Sequence, residues 1–379
     1  MSERTALAIT GVGLVTPVGL SVVSSCAAFR AGLARLGPVR GKMIDDDRGD
    51  PVAALGGRVP LEWFEGGPLE DEYPGHEAFG AIMPPPSHEF VSSGAARLIE
   101  LAAPAADEAW RQARLDDRAP RHLGLYLGLD ERDRPEPLAE ALASGLHASF
   151  TVMRSDRFGR AAGLAALHRA ARHLREERVE VALVGGVDSL VRPEVIERLF
   201  DAKVIKSDDS PQGISPGEGA AFVILEAAPP EGVRTLAWLL GSGVAEEPTA
   251  DTDDANEGVG LTAALRAARA AVGGGPEHFP RVVCDLNGDR YRAMEWAYAQ
   301  IRALGDIKQR KPDGPEETES WHPAEYTGDM GAASGIANVV WSVTAMRRGY
   351  AHSDVSLVWG ASEGRLRAAA FVGRTDPRG

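Results

Sequence analysis

Two stretches of the chain repeat one pattern of apolar and polar positions. In FGRAAGLAALHRAARHLREERVEVALVGGVDS, from Phe158 to Ser189, the apolar residues Leu164, Leu167, Ala171 and Leu174 recur every three or four positions. A continuous apolar run, Val181 to Val184, comes next. This predicts an amphipathic helix feeding a strand buried on both faces. Small residues at 159 and 161–163 open the helix and permit close backbone approach. The same order returns from Gly331 to Gly364, as GAASGIANVVWSVTAMRRGYAHSDVSLVWGASEG.

The duplication extends outward from these units. Each half opens with an apolar strand, Ala6–Val12 in the first and Leu236–Val244 in the second, where it succeeds the proline-bearing link Ala228–Glu231. Each then offers a helix (Gly94–Ala113, Leu261–Val272) and a second strand (Leu123–Leu129, Val282–Leu286). We therefore divide the chain into halves at 1–231 and 232–379. Strands alternating with helices predict an α/β fold, with mostly parallel sheets layered as α-β-α-β-α. Residues 37–88, rich in Gly, Pro and acids and containing Pro84-Pro85-Pro86, fit poorly and read as an irregular excursion. Ala245–Glu257 reads as an acidic loop, mobile or facing a partner.

Composition narrows the classes. The chain has 379 residues, 44% of them hydrophobic, enough for one large core or two fused ones. Its net charge of −14 argues against a nucleic-acid or anionic-membrane surface. No apolar run reaches the ~20 residues that span a bilayer, and the first residues lack a secretory pattern. A soluble, cytoplasmic protein is expected. Cys26 and Cys284 imply no disulfide framework, and no zinc spacing, P-loop or H-E-x-x-H appears. No metal or cofactor is expected.

Several segments resemble the β-ketoacyl synthase branch of the thiolase superfamily: ALAITGVGLVTPVGLS, VEVALVGGVDSLVRPEVIERLF, the GEG-containing QGISPGEGAAFVILE, and TGDMGAASG. The resemblance implies a thiolase-like five-layer fold of two duplicated halves, each with a mixed, mostly parallel sheet. It also implies a dimer that pairs the strand around Val181 across a two-fold axis. In the active family a cysteine at the helix elbow takes the acyl group, and two histidines assist condensation. By the family's motifs the cysteine position falls on Arg160. The first histidine falls on Asn287, the second on Gly328, the nearby lysine on Pro323 and the acyl-pocket phenylalanine on Ile214.

Other residues are candidate substitutes. Gly360–Gly364 matches G-x-S-x-G around Ser362, but no histidine lies beyond it. Asp289 reads as a helix N-cap, His322 as a loop histidine and Glu218 as a brace for its glycine loop. A cation at a helix N-terminus is unfavourable by ~0.3–1 kcal/mol without an anion. Arg160 is therefore expected to fill the old acyl pocket and pair with Asp289 or Asp329, or else to receive a ligand carboxylate or phosphate.

Three readings are open. The leading one is a pseudo-ketosynthase of bacterial type, acting as scaffold, partner or binding protein. It would be a homodimer, or a heterodimer beside an active ketosynthase as chain-length factors are. The second is an acyltransferase using acyl thioesters through rebuilt residues, Asn287, Asp289, His322 or Asp329. The third is a module binding acyl or CoA-type small molecules; an acyl-carrier partner would face an acidic surface. The opening segment and the GDMGAASG turn are also similar to degenerate proteins accompanying bacterial type VI secretion loci.

Overall fold

The computed structural model describes residues 6–45, 51–60, 94–118, 120–207, 212–250, 252, 254–273, 276, 280–307 and 320–376. The first half contains β1 (Leu7–Val15), α1 (Val22–Ala31), β2 (Gly37–Asp45), β3 (Pro51–Gly56), α2 (Gly94–Gln112) and β4 (Leu123–Leu129). It continues with α3 (Pro135–Gly145), β5 (Val152–Arg157), α4 (Ala162–Arg175), β6 (Val181–Ser189), α5 (Pro193–Asp201) and β7 (Glu218–Glu226). The second half contains β8 (Ala237–Glu246), α6 (Val259–Ala271), β9 (Arg281–Cys284), α7 (Arg290–Leu304), α8 (Ala324–Thr327), α9 (Ser334–Arg348), β10 (Val355–Ala361) and β11 (Leu366–Gly373).

The strands line up as β5-β4-β6-β7-β1-β8-β11-β10-β9. The two half-sheets join where Leu7, Ala8 and Ile9 of β1 pair antiparallel with Leu239, Trp238 and Ala237 of β8. On either side of that seam the plan repeats. The sequences β1-β7-β6-β4 and β8-β11-β10-β9 each make two antiparallel pairings and then a parallel one. Only β7 and β11 run against the other strands of their half, so each half-sheet is mixed and mostly parallel.

Helices complete five layers. Leu164, Leu167, Ala171 and Leu174 of α4 meet Ile336, Val339, Val340 and Val343 of α9 in a core that touches both half-sheets. Apolar residues of α2 cover the outer face of the first half-sheet. Those of α6 and α7 cover the second. The apolar stripe read along α4 is therefore the contact surface of the central layer.

Two expectations need correction. Strand β6 has both edges occupied, by β4 and β7, so the strand around Val181 cannot pair across a dimer axis. Among the described residues, no strand pairs with the outer edge of β5. At the far end, β9 is shielded by Trp321, which accepts from Cys284 N (2.8 Å) and donates to Val282 O (2.9 Å). Second, part of the irregular excursion is regular, because β2 and β3 form a two-stranded antiparallel ribbon. Residues 46–50 and 61–88 of it lie outside the described residues.

Candidate functional site

In each half a 3-10 turn leads directly into the central helix: Gly159–Ala161 into α4, and Gly331–Ala333 into α9. Gly159 sits at φ 69°, which reverses the chain and turns Arg160 inward. The Arg160 side chain is buried at 5% exposure. Its Nε donates to Asp329 Oδ2 at 2.6 Å, and a terminal guanidinium nitrogen donates to Glu363 Oε1 at 2.8 Å. Asn287 Nδ2 donates to the same Asp329 oxygen. Three loops of the second half therefore converge on one arginine of the first.

Asp329 is the hub. Its amide donates to Ser215 O (2.7 Å), its carbonyl accepts from Gly217 N (2.8 Å), and its Oδ1 accepts from Gly331 N (2.8 Å). A nitrogen of Arg292, from the buried face of α7, lies 4.0 Å from Asp329 Oδ2. Burial pushes the Asp329 carboxyl up, but Arg160, Arg292 and the Gly331 amide outweigh it and hold it below the ordinary carboxylate range. Arg160 likewise holds Glu363 low, against some desolvation. Burial works against the Arg160 charge, and Asp329 and Glu363 more than restore it. Arg292 is depressed by burial and by Arg160, with Asp285 opposing. Asp285 is raised by burial, and its Oδ2 accepts from Ala361 N at 3.0 Å.

The helix starts are capped reciprocally. Ala161 N, in the first turn, donates to Ser362 Oγ (3.0 Å) from beyond β10. Ala332 N, in the second, donates to Asp188 Oδ2 (3.0 Å) from the end of β6. Ser362 is thus an acceptor for a helix amide, at a site where a nucleophile would need that amide free. Gly331 lies at φ 54°, and a Cβ there would come within 2.1 Å of Asp188 Oδ2.

The sequence-derived candidates divide clearly. Arg160, Asn287 and Asp329 meet. Position 328 does not join them: Gly328 has φ 71° and ψ 177°, and a Cβ would lie 2.6 Å from Pro216 O. Only glycine occupies that backbone region without strain, so the side chain reaching the site comes from the next residue, Asp329. Asp289 does not pair with Arg160; it caps α7, accepting from Tyr291 N at 2.8 Å. His322 pairs with Glu325 within its own turn (2.5 Å). Pro323 starts α8, and Ile214 packs with Ile205 and Leu199. Glu218 is buried and braces its loop, accepting from Arg97 Nε (3.0 Å), Val59 N (2.7 Å) and Ser189 Oγ (2.7 Å). Cys284 and Cys26 are both buried, and burial pushes the Cys26 thiol up to about 12.

Glu363, Arg292 and Asp285 were not anticipated. The duplication carried a signal for the first. Aligning LVGGVDS with LVWGASE sets Asp188 opposite Ser362, the two capping residues, and leaves Glu363 next in line. The open space at the site is a cleft of about 30 Å³, lined by Asp130, Phe158, Arg160, Asp188, Leu199 and Glu363 among others. That is room for a water or two. Among the described residues no group of three or more His, Cys, Asp or Glu is placed to hold a metal ion.

Comparison with known proteins matches the first of these turns together with the helix and strands after it. The family model for the β-ketoacyl synthase N-terminal domain matches residues 159–230. Polyketide synthase GfsE of Streptomyces halstedii is 27% identical over 274 residues, 64% of this chain and 7% of that protein. The chain thus spans only a small part of such a relative. The ketosynthase from module 6 of the bacillaene synthase of Bacillus subtilis 168 superposes with a TM-score of 0.74 at 16% identity, over 98% of this chain and 72% of that one. The ishigamide ketosynthase/chain length factor gives a TM-score of 0.74 at 19% identity, over 98% and 100%. The order of strands, the paired elbows and these superpositions give the chain the fold of the ketosynthases, and its residues 159–230 are similar to the β-ketoacyl synthase N-terminal domain.

Proposed function

We propose that this chain does not condense acyl groups and acts instead as a partner subunit or binding protein built on the ketosynthase scaffold. The observation that carries the reading is the ion-paired Arg160–Asp329 contact, with Asn287 on the same carboxylate. On this reading Arg160 holds the place of the family's cysteine, and Asn287 and Asp329 hold the places of its histidines. An arginine cannot be acylated through a thioester, and a carboxylate held ionised by two arginines is a poor general acid. The Ala161 amide at the helix start already donates to Ser362 and is not free for a ligand.

The outer edge of β5, which no strand among the described residues pairs, supports association with a second copy or with an active ketosynthase. Met153 on that strand and Phe158 just beyond it are about half exposed. The ishigamide ketosynthase/chain length factor offers a precedent for the second arrangement.

One preparation tests both parts. Incubated with acetyl-, malonyl- and octanoyl-CoA and with acylated carrier protein, the chain is expected to keep its unmodified intact mass and release no carbon dioxide. Turnover that disappears on substituting Asn287, Asp289, His322 or Asp329 would instead establish an acyltransferase with a rebuilt site. Sedimentation of the chain alone is expected to show a dimer that Met153→Asp converts to monomer. A monomer that dimerises only on adding an active ketosynthase would select the heteromeric form.

A further inference from the structure

Ten large hydrophobic side chains are exposed among the described residues, and four of them lie on α7 alone: Tyr291, Met294, Tyr298 and Ile301. Their spacing of three, four and three residues places them along one seam of the helix. Ile301 is 70% exposed. At 1.5 Å per residue the seam runs about 15 Å, the length of a few turns of a partner helix. A fifth exposed residue, Val259, begins the adjacent α6. The opposite face of α7 is fully used, with Trp296, Ala299 and Leu304 in the core.

The charge around this seam departs from the rest of the molecule. In a chain of net charge −14, α6 and α7 together carry Arg266, Arg269, Arg290, Arg292 and Arg302 and a single acid, Glu295. Glu295 is buried and accepts from Arg367 Nε at 2.5 Å, so it offers the surface nothing. Asp306 and Glu257 engage Arg269 and Arg302 at the helix ends. Among the described residues no acid bonds Arg266 or Arg290, and both are exposed. The outward surface is therefore an apolar seam with guanidinium groups beside it that no carboxylate among the described residues neutralises.

We infer that the outer face of α7 is a docking site for a partner protein presenting an amphipathic helix whose apolar seam is flanked by carboxylates. The apolar seams pack against one another, and the flanking acids meet Arg266 and Arg290. An anionic bilayer fits less well, because the seam is one residue wide. The same helix carries Arg292 to within 4.0 Å of Asp329, so the docked partner would lie one helix diameter from the Arg160 site.

A displayed library of helical peptides tests this, with a fixed Leu/Met/Tyr seam and flanking positions randomised among Glu, Lys and Gln. Sorted against the full chain, it is expected to enrich Glu at the flanks. The selected peptides should bind at least tenfold more weakly to the Met294→Asp/Ile301→Asp variant, whose changes are on the surface and leave thermal unfolding intact. Arg266→Glu/Arg290→Glu should shift the selection from Glu towards Lys. The proposal fails if no peptide distinguishes wild type from Met294→Asp/Ile301→Asp, or if Lys flanks are selected equally. It also fails if that variant instead abolishes binding to phosphatidylserine vesicles or self-association in sedimentation, which would make the occupant a bilayer or a second copy.

Discussion

The two helix elbows are built to one plan and carry opposite kinds of side chain, a base at the first and an acid at the second. At the second, the start of α9 receives the carboxyl of Asp188, an acid at the positive end of a helix, where burial raises it against the pull of the Ala332 amide. At the first, the corresponding acceptor is the neutral hydroxyl of Ser362, and the residue on the turn is the cation Arg160. The arrangement that helix electrostatics disfavours is retained because Asp329 and Glu363 neutralise it. Each cap comes from the other half of the chain, so the halves hold each other's helices in place. The lesson is that a duplicated frame fixes where a charge must be answered, and leaves open which sign it has.

The comparison breaks most severely at Asp329. Asp329→Ala leaves Arg160 buried with Glu363 and Arg292 buried beside Asp285 and Asp289, and removing one member of a buried ion pair costs about 3–5 kcal/mol. Urea denaturation is expected to show a loss of that size. The same substitution at the other elbow, Asp188→Ala, orphans the Ala332 amide and weakens the hold on Arg192, which keeps Asp133 (2.9 Å). Its cost should be about 1–3 kcal/mol. Ser362→Ala should cost about 1 kcal/mol, as a lost cap. If Asp188→Ala proved costlier than Asp329→Ala, the first elbow would not be the one under electrostatic demand.

Much of this frame was legible because two periodicities encode it. The helix stripe Leu164–Leu167–Ala171–Leu174 and the apolar run from Val181 each dictate one element, and their recurrence near the C-terminus dictates the pseudo-symmetry. Arg160 and Asn287 were legible from motif position, and Asp329 from the convergence of the loops that carry the lost histidines. The register at Gly328 was not, because a one-residue offset leaves the motif unchanged and only the left-handed backbone at 328 decides which side chain enters the site. Glu363 was missed because it crosses from a hairpin 203 residues away in sequence, which no local pattern specifies. Arg292 was hidden by its place on a helix whose outward face is the conspicuous one.

Acidity separates the elbows by sign. Asp329 titrates below its unfolded value, so its contribution is present above about pH 4 and is lost as pH falls through the folded pKa. Asp188 is raised to about 7, by burial first and by Asp130 next, against Arg192 and the Ala332 amide. Its contribution is therefore fully present below about pH 4 and is lost as pH rises towards 7. Glu108, also raised to about 7 by burial, has the same sign. Stability measured from pH 3 to 8 should thus fall more gently above pH 4 in Asp188→Asn, with Glu108 sustaining the remaining slope. Asp329→Asn should lose less than wild type on acidification below pH 4. Parallel curves for wild type and Asp188→Asn would mean that Asp188 titrates normally, and the contrast between the elbows would disappear.

The smallest effect belongs to Glu363, and it tests how much of the neutralisation of Arg160 is internal. Glu363 is 61% exposed, so water already solvates its carboxylate and screens its attraction to Arg160. Asp329, at 2% exposure, has no such competitor. Glu363→Ala should therefore cost less than about 1 kcal/mol, and less still in 0.5 M salt. A double-mutant cycle with Arg160→Met measures the pair directly. Coupling above about 2 kcal/mol would place Glu363 inside the low-dielectric site rather than at its rim. The arginine would then rely on two carboxylates equally, and the cleft beside it would be closed by an ion pair rather than bordered by one.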